Sequence, residues 1–191
     1  MKRRDLFHQF KQAVLVFAFF LSGCAATMQM SSEELKRAAP NEGIVVGSIQ
    51  IKGGDDILGR KKWALAAESI KSASLVSSLV SPGDYVVQAS RGEEEEVFVT
   101  RMPAGDYRFG RLYQPGFSSL TAKTNIQFRA QPGKTIYIGR LVVEFPPGFI
   151  TTSTRIQLRV EDAKASTLDA GSKKYGLSGD DVTTDLMTIV E

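Results

Sequence analysis

The chain has 191 residues, 42% hydrophobic and 24% charged, with one histidine, one cysteine and a formal charge of +3. That length suits a single domain with a sizeable core, and a lone cysteine excludes an intrachain disulfide framework. One histidine also excludes any metal or catalytic centre that needs two imidazoles.

The start of the chain reads Met1, Lys2, Arg3 and Arg4, then an uninterrupted apolar run of nine residues at 13–21, then Leu21-Ser22-Gly23-Cys24. Basic residues hold an N-terminus at the anionic cytoplasmic leaflet while the apolar stretch inserts. A spanning helix needs about 20 apolar residues, so the run is expected to be cleaved rather than to remain as an anchor. Small side chains at Ser22 and Gly23 give a peptidase access to the backbone. This head resembles the signal peptide and lipobox of bacterial lipoproteins. The resemblance implies cleavage between Gly23 and Cys24, a thioether link from Cys24 to diacylglycerol, and a membrane anchor at the new N-terminus. Ala25 follows the cysteine where Asp would signal retention, which in that family implies the periplasmic face of the outer membrane. One acyl chain binds membranes only marginally, so stable anchoring implies several chains on Cys24.

Loss of residues 1–23 removes Lys2, Arg3, Arg4 and Lys11 against Asp5, leaving 20 basic and 20 acidic residues. A neutral chain gives no compositional support to a nucleic-acid partner. The only histidine, His8, leaves with the signal, and lipid consumes the only thiol. No Ser-His-Asp triad, Cys-His pair, or His- or Cys-ligated metal site can then be built. Ser-x-x-Lys is absent from the sequence as well. Carboxylate chemistry, a Tyr or Lys base, or an oxygen-ligated metal remain, and none has a motif. No cofactor is expected.

Residues 24–42 are polar, with Ser31-Ser32-Glu33-Glu34 opening one or two helical turns and Pro40 ending them. They are expected to form a lipidated N-terminus and a tether that holds the folded part off the bilayer. From Gly43 the pattern turns to strands. Pro82-Gly83, Pro115-Gly116, Pro132-Gly133 and Pro147-Gly148 punctuate the chain, with Pro103-Ala104-Gly105 a close relative. Pro presets a turn φ and Gly supplies positive φ. Strands are predicted at 44–51, 63–67, 85–89, 96–102, 107–113, 125–130, 135–145 and 155–161. In 155–161, Ile156, Leu158 and Val160 face one way and Arg155, Gln157, Arg159 and Glu161 the other. In 135–145, Tyr137, Leu141, Val143 and Phe145 are predicted to share a face, with Gly139 marking a bulge or bend. This spacing predicts a mainly β fold, a single antiparallel β-sandwich over 43–160. A tail over 161–191, carrying a short C-terminal helix, packs on it.

Met102-Pro-Ala-Gly-Asp-Tyr-Arg-Phe109, Gln114-Pro-Gly-Phe117 and Gln131-Pro-Gly-Lys-Thr-Ile-Tyr137 resemble the prealbumin-like, carboxypeptidase-regulatory type of β-sandwich over about residues 95–145. The resemblance implies an immunoglobulin-like sandwich and little about activity, because such scaffolds serve many tasks. The hydroxyisourate hydrolases of the prealbumin-like group depend on histidines, which the mature chain lacks.

After Asp162, residues Ala165, Leu168, Ser172 and Tyr175 fall on one helical face, with Lys173 and Lys174 at the dipole-favoured end and Gly176 as the stop. Leu186 to Val190 is apolar enough to dock, as helix or as strand. Gly54-Asp-Asp-Ile-Leu-Gly59 has P-loop glycine spacing but continues Arg60-Lys61, which makes it a loop. Glu93, Glu94, Glu95 and Glu96, with Asp55, Asp56, Asp180 and Asp181, lack the ordered spacing of a calcium loop and read as solvated acids.

Charge is segregated along the sequence. Residues 101–159 carry nine basic residues, seven of them Arg, against Asp106 and Glu144, while the flanking segments are acidic. Outward positions at Arg129, Arg155 and Arg159 make a candidate partner-binding basic face for an envelope protein, a glycan or an anionic lipid. The alternative is that acidic segments fold over these arginines. The sequence therefore reads as a lipid-anchored, non-enzymatic binding or assembly module of the cell envelope. A carboxylate-dependent cell-wall hydrolase and a purely structural spacer are the alternatives.

Overall fold

Alternating apolar residues between Pro- and Gly-containing turns build strands close to where the sequence places them. The computed structural model describes residues 26–28, 32–35, 39–53, 62–71, 85–92, 94–115, 117–146, 156–179 and 181–191. These form β1 (Ala26–Thr27), α1 (Ser32–Leu35), β2 (Glu42–Gly53), β3 (Lys62–Ser69), β4 (Tyr85–Ser90), β5 (Glu96–Pro103) and β6 (Gly105–Gln114). They continue as β7 (Phe117–Ala130), β8 (Thr135–Phe145), β9 (Gln157–Glu161), α2 (Lys164–Tyr175), β10 (Val182–Thr184) and β11 (Thr188–Ile189). The Pro82-Gly83 and Pro147-Gly148 turns and the 54–59 loop lie outside the described residues.

Two sheets face each other, so the fold is a β-sandwich with a short helix. The first sheet runs β1-β4-β3-β6-β7-β11 and the second β10-β8-β2-β5, with β9 also on β8. Trp63, Leu65, Phe109, Ile126 and Phe128 of the first meet Ile49, Ile51, Phe98, Ile136 and Leu141 of the second in one core. The pairing departs from a purely antiparallel sandwich at its centre, where β2 and β8 run parallel. Parallel strands are characteristically covered on both faces, and α2 supplies the second cover. Val46, Val97 and Val99 on the outer face of the second sheet pack with Leu35, Tyr175 and Leu177. Double coverage explains why β2 and β8 are buried almost continuously rather than at every second residue.

Gly139 governs how β8 is used. Its φ is +98°, and the β2–β8 register shifts between Val46 and Ser48, opposite Tyr137 and Arg140. One extra residue in a strand flips every side chain beyond it to the other face. Ile136 and Ile138 point into the core before the bulge, and Leu141, Val143 and Phe145 after it. Tyr137 therefore lies on the opposite face from Leu141, which corrects the expected common face. Its hydroxyl accepts a 2.8 Å bond from the Ala163 amide at the start of α2.

The two ends of the described chain close the flanks of the sandwich. On one flank β4 contacts β5, and on the other β11 contacts β9. β1 adds to β4 in parallel, the Met28 amide donates to the Val86 carbonyl at 2.8 Å, and Met28 is fully buried in the core. Leu35 of α1 is buried against the outer cluster. Residues 26–28 and 35 thus belong to the folded body, where the sequence suggested a tether over 24–42. On the opposite flank, β10 pairs with Thr135–Tyr137 of β8 and β11 pairs with Ile126 and Gln127 of β7. Between them Met187 donates its amide to the Ile138 carbonyl at 2.8 Å and enters the core. The apolar 186–190 stretch is therefore a strap that passes from one sheet to the other. Such caps remove open edges that would otherwise pair with other chains.

The helix ends where its sequence says it should, with Gly176 left-handed at φ 68° and its amide bonded to the Ser172 carbonyl. Its buried face is Thr167, Gly171 and Tyr175 rather than the face centred on Ala165 and Ser172, both of which are exposed. The sheet beneath decides this. Gly171 lies over Val97, Val99 and Leu177, and Thr167 finds a hydroxyl partner in Ser48. In the Pro103-Ala104-Gly105 turn the Tyr107 hydroxyl donates to the Pro103 carbonyl at 2.9 Å, the geometry of a tyrosine corner.

Candidate functional site

Of the residues singled out by sequence, Gly23, Cys24 and Arg155 lie outside the described residues. Arg129 and Arg159 are described, and they do not share a face. Arg129 sits on β7 of the first sheet between the core residues Phe128 and Ala130, so it points outward from that sheet. Arg159 sits on β9 between Leu158 and Val160, both packed against the core, so it points outward from the second sheet. The whole sandwich separates them.

Pairing across strands undoes the segregation of charge seen along the sequence. Asp106 and Arg129 are direct register partners and bond at 2.6 Å; Glu68 and Arg108 are likewise opposite and bond at 2.7 Å. Arg101 bonds Glu42 at 2.9 Å. Arg159 reaches Glu161 at 2.8 Å and Glu144 at 3.4 Å, and Lys174 of α2 bonds Glu96 of β5. Charge-assisted bonds to Asp106 and Glu161 hold the Arg129 and Arg159 guanidiniums above their ordinary range. Solvent screens such exposed pairs, so they add little to stability. These arginines are therefore solvated partners in local pairs and still present exposed guanidinium surface.

The most concentrated polar grouping lies where α2 crosses the second sheet. Arg140 bonds Glu95, approaches Glu161 at 3.6 Å and donates to the Ser166 hydroxyl at 2.9 Å. Ser48 is fully buried and donates to Glu95 at 3.3 Å while sharing a 3.2 Å bond with the equally buried Thr167. Tyr137 completes the group, and burial pushes its hydroxyl above the ordinary value. Every buried side-chain polar atom described has a partner. The buried Ser48 hydroxyl, shared between Thr167 of α2 and Glu95 beside β5, holds α2 on the sheet. Only one signal for this group was present in the sequence: Ser48 interrupts the apolar run Ile44-Val45-Val46-Gly47-Ser48-Ile49. Its partners Glu95 and Thr167 are 47 and 119 residues away, beyond the reach of local pattern. Among the described residues no three His, Cys, Asp or Glu side chains stand together as a metal ion would require.

The chain matches no protein-family model, no curated protein and no solved structure. The fold and the site geometry therefore rest on this chain's own residues.

Glu161 of β9 pairs with both Arg159 and Arg140, and its titration should be visible. The bond from Arg159, together with the charges of Arg159 and Arg140, holds its carboxyl below the ordinary carboxylate range. A depressed folded-state pKa gives stability that is complete above the unfolded value near 4.3 and is lost as pH falls through the lower folded value. The melting temperature should therefore fall less steeply below pH 5 in Glu161→Gln than in the parent protein. Equal slopes would mean that Glu161 contributes nothing to the acid sensitivity.

Proposed function

We propose that this chain is a lipid-anchored lipoprotein of the bacterial cell envelope, a non-enzymatic β-sandwich module that binds or helps assemble other envelope components. The observation that carries the reading is Leu21-Ser22-Gly23-Cys24 behind a basic and apolar head. Anchoring through Cys24 places the module on a membrane, and Ala25 assigns it to the periplasmic face of the outer membrane. The chemistry left after processing supports a binding role, because the mature chain holds neither histidine nor a free thiol. The likeness of residues 95–145 to prealbumin-like sandwiches fits such a role and adds no catalytic residue.

Arg159 is the better of the two described arginines as a partner contact. It stands on β9 at an edge of the second sheet, with Arg155 two residues before the start of that strand. Its ion pairs are solvent-screened surface pairs, so reversing the charge spares the fold. Arg159→Glu, alone and with Arg155→Glu, should lower recovery of crosslinked partners from native membranes at least tenfold. Arg129→Glu, on the other sheet, should leave recovery unchanged. Undiminished recovery with the double variant would remove this surface from the account.

A further inference from the structure

A lipid tether and a sandwich can be joined loosely or tightly, and the position and direction of β1 decide which. Ala26 is the register partner of Tyr85, the first residue of β4, and Thr27 that of Val86. β1 runs parallel to β4, so the chain before Ala26 leaves the sheet beyond the start of β4. Met28, fully buried and bonded to Val86, pins the segment there. Cys24 is two residues from Ala26, and two extended residues reach at most about 7 Å.

The end of the sandwich where β4 starts is defined by its pairings. β3 finishes there, with Ala67 opposite Tyr85; β6 starts there, with Gly105 opposite Ala130 at the end of β7. The turn at 131–134 leads from β7 into β8 at this same end, beside the start of β2. Exposed here are Ile70 and Lys71, Pro103 and Ala104, and Pro132 to Lys134. Among the described residues, Ile70 is one of four large apolar side chains exposed to solvent. The opposite end carries Gly53, Ser90 to Gly92, Gln114 and Phe145, and lies about 30 Å away along strands of ten or so residues.

We infer that the acylated N-terminus holds the 70–71, 103–104 and 131–134 end of the sandwich directly against the phospholipid surface. The strands then stand away from the bilayer, and the far end is presented to the periplasm. This deepens the lipid-anchor reading and rests on it. Electrostatics add little, since Asp181 is exposed at the same end as Lys71 and Lys134; the length and direction of the chain carry the inference. A partner would then meet the far end or the outer sheet faces, and the near end is occupied by membrane.

The test uses the full acylated protein, in which Cys24 is blocked by lipid and an introduced cysteine is the only free thiol. Lys71→Cys and Lys134→Cys report the near end, and Gly92→Cys the far end, where a Cβ meets nothing within 4 Å. Each is labelled with a fluorophore and reconstituted in phosphatidylethanolamine–phosphatidylglycerol vesicles containing headgroup-nitroxide lipid. Quenching should be at least threefold stronger at 71 and 134 than at 92. A ten-residue Gly-Ser insertion between Cys24 and Ala26 should reduce that contrast. Acylated, vesicle-bound protein with equal or reversed quenching would overturn the orientation alone. Protein that is not acylated and does not float with vesicles would overturn both the orientation and the anchor.

Discussion

Gly139→Val is expected to lower the melting temperature by about 10 °C or more and to loosen both β9 and the C-terminal strap. A β-branched residue at φ +98° occupies a region that side chains rarely adopt, at a cost of about 1–3 kcal/mol. A Cβ there already approaches Val160, Leu186 and the Glu161 carbonyl at 3.1–3.3 Å. The two further methyl groups have nowhere to go, and overpacking adds about 1–3 kcal/mol more. For a protein of this size each kcal/mol moves the melting temperature by about 2–4 °C. The site matters because β8 changes partner at Gly139. Thr135–Tyr137 pairs with β10 and Arg140–Glu144 with β9. A thermal melt checks it, and Gly139→Ala should fall between the parent and the valine variant. A valine variant within a degree of the parent would contradict the bulge.

Met187→Asp should have an effect at least as large, for a different reason. Met187 is 4% exposed and belongs to the main core, so the substitution asks an unpaired carboxylate to enter an apolar interior. Such a group neutralises, or the segment carrying it leaves, and either costs several kcal/mol. The neighbouring contacts on the strap are few: three residues in β10 and two in β11. The strap is therefore expected to detach before the sheets separate. Hydrogen exchange should show faster exchange at 182–190 and at Gln127 and Ile126, with the β2–β5 amides retaining protection. Uniform protection with an unchanged melting temperature would mean that the strap is not part of the core.

What the sequence made legible was local. The strand at 135–145 begins and ends as its alternation predicts, and the Lys173, Lys174 and Gly176 signals end α2 as helix termini require. What it hid was set by contacts across the chain. The parity of Tyr137 depends on a bulge whose position is fixed by pairing with β2. The helix face depends on Ser48 and Val99, more than 60 residues earlier. Residues 26–28 are too few to show a strand period, and they become β1 only because β4 offers an edge. The charge runs misled in the same way. Seven arginines between 101 and 159 suggested one basic face, yet β-pairing distributes Arg129 and Arg159 to opposite sheets and gives both carboxylate partners.

In the proposed reading, function depends on the joint between Cys24 and β1. With the proposed anchor, the sandwich carries its lipid within two residues of its first strand, and removal of the anchor frees an otherwise intact domain. Mass spectrometry of the N-terminal peptide from membrane-extracted protein, beside the Cys24→Ala variant, tests this most directly. The mature protein should begin at Cys24 and carry a diacylglyceryl thioether with an acylated amine, and Cys24→Ala should accumulate as unprocessed precursor. A mature protein that starts elsewhere, or an unmodified thiol at Cys24, would contradict the account.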